Sequence, residues 1–332
     1  MAWKPASASA LSWWRHEYQL SGKPWHKTTA GAVGAPASAM CMRRPFVSTK
    51  RCVISVIGSG LPYGMKTLAA ASIAPMQSRP IRTVAVIMAM RAEARPFLDK
   101  IRATERELPE TVGPLQIQWY DTRVGGLNVV VSVNGADRRH GVDEIGTQPA
   151  ALNAYVTMVN RRPDLVISAG TAGGWASHGT QVGDVFVSRD RFVFHERHIP
   201  LPGFDQYGVG SYPSVDASYL ARSLRLKEGI VTSGNSLDHS AADGRAIAAS
   251  GASVKDMEAA AIAWVADLLG VPMLAVKAIT DLVDAPADTA DQFVANLSHA
   301  SQRLSDVLVA VLEFCEDRTI GDLAHDRSSG AK

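Results

Sequence analysis

The sequence predicts an α/β protein in three layers, with a central mixed sheet flanked by helices. Three observations carry that prediction. Short apolar runs of strand length recur at residues 83–89, 164–168 and 273–279, and runs without polar alternation fit strands covered on both faces. Segments with helical spacing lie between them, and strands alternating with helices fold into a sheet between helical layers. The composition is 46% hydrophobic and 20% charged over 332 residues, which places the chain among ordinary globular proteins of one or two domains.

Residues 1–80 stand apart. They hold ten Lys/Arg and one acid, Glu17, a balance of about +9. Subtracting these from the totals of 34 and 32 leaves 24 basic and 31 acidic residues in the remainder, about −7. A Ser/Ala/Arg-rich, acid-poor N-terminus without a sustained period has the composition of an organellar transit peptide. A disordered tail, or a true start near Met76, would read the same way. The expected compartment is therefore the cytoplasm, or a plastid or mitochondrion if residues 1–80 are a transit peptide. Four of the seven tryptophans, Trp3, Trp13, Trp14 and Trp25, lie in this segment, and nothing in the pattern explains them. The mildly acidic remainder offers no surface for nucleic acid. No apolar run reaches the roughly 18 residues that a spanning helix needs. Cys41, Cys52 and Cys315 are too few and too scattered for a disulfide framework or a zinc site.

From Arg82 the elements follow in order. Residues 83–89 read as a buried strand, and residues 90–102 as a helix with Met90, Ala94, Phe97 and Ile101 on one face. Strands are expected at 115–120 and 129–133, and a helix at 147–159. The strand at 164–168 ends in Ala169-Gly170-Thr171-Ala172-Gly173-Gly174. That segment reads as a tight turn or as a place where backbone approaches a ligand closely. It is neither the dinucleotide fingerprint nor a Walker A loop. Further strands are expected at 184–189 and 229–232. Residues 253–266 start polar and extended, carry Asp256-Met257-Glu258, and continue as an Ala-rich helix. After the strand at 273–279, a long amphipathic helix presents Val294, Leu297, Leu304, Leu308 and Val311 on one side. There is no internal repeat. One domain spans 82–323, followed by a disordered tail at 324–332.

Three acids fall at strand ends: Glu93, Glu258 and Asp281. Carboxyl ends of strands in an α/β sheet share a crevice, so acids there are candidates for general acid and base work. Each could instead stabilise a helix N-terminus.

Five motifs in order carry a resemblance: Ala89-Met90-Arg91-Ala92-Glu93; the Gly-rich segment; Val182-Gly183-Asp184-Val185; Asp256-Met257-Glu258-Ala259-Ala260-Ala261; and Ala278-Ile279-Thr280-Asp281. With them the chain resembles the 5′-methylthioadenosine nucleosidases of the nucleoside phosphorylase superfamily. The wording is closest to the plant-type branch, through residues 195–202, 207–210 and 280–284. The likeness covers residues 82–323.

The resemblance implies hydrolysis of the N-glycosidic bond of 5′-methylthioadenosine, and of S-adenosylhomocysteine in some members, within methionine salvage. It assigns Asp281 as the acid that protonates adenine N7, and Glu93 as the group that orients and deprotonates the water. Met257 and Glu258 would hold the ribose, the carboxylate on its 2′ and 3′ hydroxyls. Thr171 and Lys277 would help hold the water. Leu237 would pack on the purine, the backbone of Asp238 would read its edge, and Met90 would line the alkylthio pocket. His195 and His198 match a loop that a partner subunit contributes, so a homodimer is implied, with apolar faces around 140–160 and 190–212 as the contact. No cofactor, metal, nucleic acid or membrane is implied. One position departs from the pattern, since Asn235 stands where the family usually has Asp. A phosphorylase of the same fold would need a basic phosphate pocket, yet Ser168 occupies the place where related phosphorylases carry Arg. A non-catalytic storage protein of this fold would be expected to lack one of the three acids.

Overall fold

The structure is a computed structural model and describes residues 79–326. The expectations for residues 1–78 and 327–332, including the transit peptide and its four tryptophans, lie outside the described residues.

The first apolar run forms β1 (Thr83–Met88), and α1 (Arg91–Lys100) follows directly from Met90 at its N-cap. A hairpin then adds β3 (Gln118–Val124) and β4 (Leu127–Val133), with the short β2 (Thr104–Arg106) on its outer edge. After α2 (Thr147–Arg161) come β5 (Leu165–Gly174) and β6 (Val185–Phe194). The short α3 (Phe204–Val209), β7 (Gly210–Pro213) and α4 (Ser218–Leu224) lead to β8 (Lys227–Ser233) and α5 (Ala241–Ser250). β9 (Val254–Asp256), α6 (Ala259–Leu269), β10 (Met273–Leu282) and α7 (Thr289–Cys315) complete the fold.

All ten strands belong to one mixed sheet, in the order β10-β6-β8-β9-β5-β1-β4-β3-β2, with β7 beside β6. β10 also pairs with β5, so β5, β10, β6, β8 and β9 close into a ring, and β1, β4, β3 and β2 extend from it as an open wing. Successive residues of β1 alternate between two cores, as strand geometry requires. Val84, Val86 and Met88 pack with Phe97 of α1 and Leu304, Leu308 and Val311 of α7. Ala85 and Ile87 face the other way, with Ala154 and Met158 of α2 and the alanines of α6. The three layers are thus those expected.

Several elements differ from the expectation, for identifiable reasons. The 115–120 strand lies further on, at β3, because the register is set by the two-residue Gly125-Gly126 turn joining Val124 to Leu127. β2 has no apolar pattern, since its three residues are all exposed at a sheet edge. Val294 is exposed, while its neighbours Gln292 and Asn296 turn toward β10 and bond to Leu282 and Thr280. The largest correction concerns residues 169–174. They are not a turn but the second half of β5, paired with β10 on one side and β9 on the other.

Candidate active site

Those glycines have a steric purpose. A Cβ on Gly173 would lie 2.7 Å from Asp281 Oδ2, and one on Gly170 would lie 3.2 Å from Glu93 Oε2. The bare strand leaves room for two carboxylates above it, in a cavity of about 150 Å³ at the carboxyl ends of β1, β5 and β10. Met90, Glu93 and Thr171 line one part of this cavity, and Leu237, Met257, Glu258 and Asp281 line the rest. Seven of the nine residues expected in the site are therefore brought together.

Glu93 enters from the first turn of α1, with its carboxylate buried. Its Oε1 accepts the Thr171 N–H at 2.9 Å and also the Thr171 hydroxyl. Burial raises its pKa, while the two Thr171 bonds and the nearby Lys277 charge oppose the rise. Asp281 follows an irregularity in the β5–β10 ladder between Ile279 and Asp281, and such breaks re-aim side chains. Its Oδ1 accepts the Thr280 hydroxyl at 2.8 Å. Burial raises this pKa too, opposed by that hydrogen bond and by the Lys255 charge. Fewer donors oppose the rise at Asp281 than at Glu93.

Glu258 is the N-cap residue of α6, yet its side chain makes no cap hydrogen bond. Its Oε1 instead accepts the Gly146 N–H at 2.9 Å, at the start of α2. Burial, reinforced by the Asp256 charge, pushes its pKa up to about 7, and the Lys277 charge opposes this. Capping of α6 falls to neighbours: Ala259 N–H donates to Asp256 Oδ2 at 3.0 Å, and Ala260 N–H to Ser233 Oγ at 2.8 Å. The capping reading thus belongs to Asp256, and Glu258 is free to face the cavity.

Two expected positions lie outside the cavity wall. Lys277 does not line the cavity. It lies buried beneath it, with Nζ 2.8 Å from Asp256 Oδ2. Burial works against its charge, but Asp256 and Glu258 outweigh that and raise its pKa. Its position is that of a counter-charge to the acids. Asp238 is exposed and not part of the cavity wall, because the loop after β8 presents Leu237 there instead.

Other wall residues were not anticipated. Lys255 lines the cavity and ties the loop above it, donating to the carbonyls of Ser236 and Leu237 at 2.9 and 2.8 Å. Its place beside Asp256-Met257-Glu258 was a usable signal. Ile145 and Phe293 also line the cavity, and no local pattern marked them. His195 is buried against Thr232, 3.1 Å from its hydroxyl, and burial lowers its pKa to about 4. His198 is exposed and pairs with Asp243 at 2.7 Å. Neither histidine lines the cavity.

The electrostatic balance is decisive. Four carboxyl groups (Glu93, Asp256, Glu258, Asp281) share this region with two ammonium groups, Lys255 and Lys277. Full ionisation would leave two uncompensated negative charges out of water, which is costly. Such a balance favours keeping protons on the buried acids.

The Phosphorylase superfamily model matches residues 83–313. The chain is 40% identical over 249 residues to an Arabidopsis thaliana protein named 5′-methylthioadenosine nucleosidase, covering 74% of this chain and 91% of the relative. It is 37% identical over 250 residues to the A. thaliana 5′-methylthioadenosine/S-adenosylhomocysteine nucleosidase, covering 75% and 97%. Among solved structures, the apo A. thaliana 5′-methylthioadenosine nucleosidase superposes with a TM-score of 0.72 at 39% identity, over 74% of this chain and all of that one.

Proposed function

Because the chain belongs to the phosphorylase superfamily, among its 5′-methylthioadenosine nucleosidases, we propose that it hydrolyses the N-glycosidic bond of 5′-methylthioadenosine to adenine and 5-methylthioribose. The observation that carries this reading is the meeting of Glu93, Glu258 and Asp281 in one cavity. Asp281 donates its proton to N7 of the purine, so that the C1′–N9 bond breaks with its electron pair leaving on a neutral adenine. Water held by Glu93 attacks C1′ and gives its proton to that carboxylate. Each proton transfer of this kind contributes roughly 10²–10⁴-fold. Glu258 accepts hydrogen bonds from the ribose hydroxyls. Its negative charge counts for most when the sugar is oxocarbenium-like, so the contact favours the transition state over the ground state. Thr171 keeps Glu93 turned toward the cavity. Met90, Ile145 and Phe293 supply an apolar wall suited to an alkylthio group.

Hydrolysis is favoured over phosphorolysis because no arginine lines the cavity among the described residues. The lysine that lines it, Lys255, is engaged on carbonyls, and Lys277 nearby is engaged on Asp256. Incubating the purified full-length protein with methylthioadenosine, with and without phosphate, tests the reading. Adenine should appear in both. Adenine only with phosphate would make it a phosphorylase, and none in either would remove the catalytic reading. The same assay with S-adenosylhomocysteine reports the breadth of the 5′ pocket.

The reading extends to a homodimer. Exposed apolar side chains on and before α2 (Ile145, Leu152, Tyr155) and in residues 201–209 (Leu201, Phe204, Tyr207) support it. A monomeric mass by light scattering would refute it. The compartment follows residues 1–80, and mass spectrometry of the mature N-terminus in cells distinguishes an organellar enzyme from a cytoplasmic one.

A further inference from the structure

Asn235 sits where three elements meet. Its backbone N–H donates to Glu196 Oε2 at 2.6 Å, and its side-chain nitrogen donates to Glu196 Oε1. Its side-chain oxygen accepts both the Thr147 N–H at 2.8 Å and the Thr147 hydroxyl at 2.9 Å. The amide orientation follows from chemistry: a carboxylate only accepts and a backbone N–H only donates, so the nitrogen must face Glu196. Thr147 opens α2 beside Gly146, whose N–H holds Glu258. Gly146 itself has φ +96°, and a Cβ there would lie 2.8 Å from Asn235 Oδ1. Two residues after Asn235, Leu237 forms part of the cavity wall.

We propose that Asn235 is a positioning residue that clasps the loop bearing Leu237 to the helix start that orients Glu258, and that Glu196 makes an amide obligatory at this position. A carboxylate at 235 would set oxygen against oxygen, so one proton would have to be bound or the clasp would open. An acid at this position therefore needs a donor at 196, and the two residues form a matched set. This deepens the nucleosidase reading and rests on it.

The test compares wild type, N235D, E196Q and the exchanged pair E196Q/N235D in the full-length protein. The exchanged pair can make every bond of the original. Its amide at position 196 donates to the carboxylate at position 235 and accepts the backbone N–H of that residue, while the carboxylate still accepts from Thr147. At pH 8, N235D should raise KM for methylthioadenosine by about tenfold or more, the loss of a charge-assisted hydrogen bond. The gap should narrow as the pH is lowered, because a proton bound between the two facing carboxyls restores a donor. The exchanged pair should return to within about threefold of wild type, as a coupled pair does. Unchanged kinetics in N235D at every pH would overturn the proposal, as would an exchanged pair no better than an impaired N235D. Amide hydrogen exchange at positions 147 and 235 should rise in N235D and recover in the exchanged pair. If the wild type releases no adenine, the nucleosidase reading fails, while these exchange rates still decide the clasp.

Discussion

Gly173→Ala isolates the steric role of the bare strand. Gly173 does not have a positive φ, so alanine meets no backbone penalty and the effect is one of space. The new Cβ would lie 2.7 Å from Asp281 Oδ2 and 2.8 Å from Val283 Cγ2. Both are well inside van der Waals contact, and the crowded group is the proposed proton donor. Overpacking of this size costs about 1–3 kcal/mol, or a Tm lower by roughly 2–12 °C for a unit of this length. Because a misplacement near 1 Å can cost about 10²-fold, kcat for adenine release should fall by roughly 10- to 100-fold. Gly174→Ala is the control. Its Cβ would meet Thr180 Cγ2 at 2.5 Å and Ile279 Cδ1 at 3.3 Å, away from the acids. That variant should lose comparable stability with a much smaller change in kcat. If Gly173→Ala lost stability but kept kcat within about threefold of wild type, or if Gly174→Ala lost as much kcat, the steric argument would be refuted.

Removing the proton donor with Asp281→Asn should lower kcat by about 10²–10⁴-fold with the fold intact by circular dichroism, and near-normal turnover would reassign the general acid. Lys277→Met leaves Asp256 buried without its partner and should cost about 3–5 kcal/mol, read as a Tm fall on the order of 10 °C; an unchanged melt would show that the pair is not needed. Burial raises Glu258 from 4.5 to about 7, so between those values the native state binds a proton that the unfolded chain has released. Stability contributed by this group is therefore lost as pH rises through that window. The wild-type Tm should drop more between about pH 5 and 7.5 than that of Glu258→Gln, and parallel curves would sink the assignment.

Glu93 and Asp281 were legible because each follows a strong apolar run, and Glu258 because it stands where a polar extended stretch meets an Ala-rich helix; their convergence was not, since it depends on ladder registers such as Asp281 opposite Gly173. Residues 169–174 show why local reading fails. Glycine clusters mark turns when the reason is backbone conformation, but here the reason is the space taken by Asp281 and Glu93, residues distant in sequence. Asp256 stood in plain view beside Met257, yet its pairing with Lys277 crosses from β9 to β10. Asn235 departs from the family pattern, and what faces it, Glu196 on one side and Thr147 on the other, is distant in sequence. Phe293 and Ile145 come from a helix start and a loop whose approach to the cavity no periodicity encodes.

The closed ring of β5, β10, β6, β8 and β9 has a consequence for how molecules come and go. Every strand that carries the floor of the cavity is hydrogen-bonded on both flanks, so the floor has no edge to peel. Access to the cavity therefore falls to the parts of its wall that are not strand, where Ile145, Leu237 and Phe293 stand. The β2 edge, at the far end of the open wing, can fray without opening any ladder of the ring.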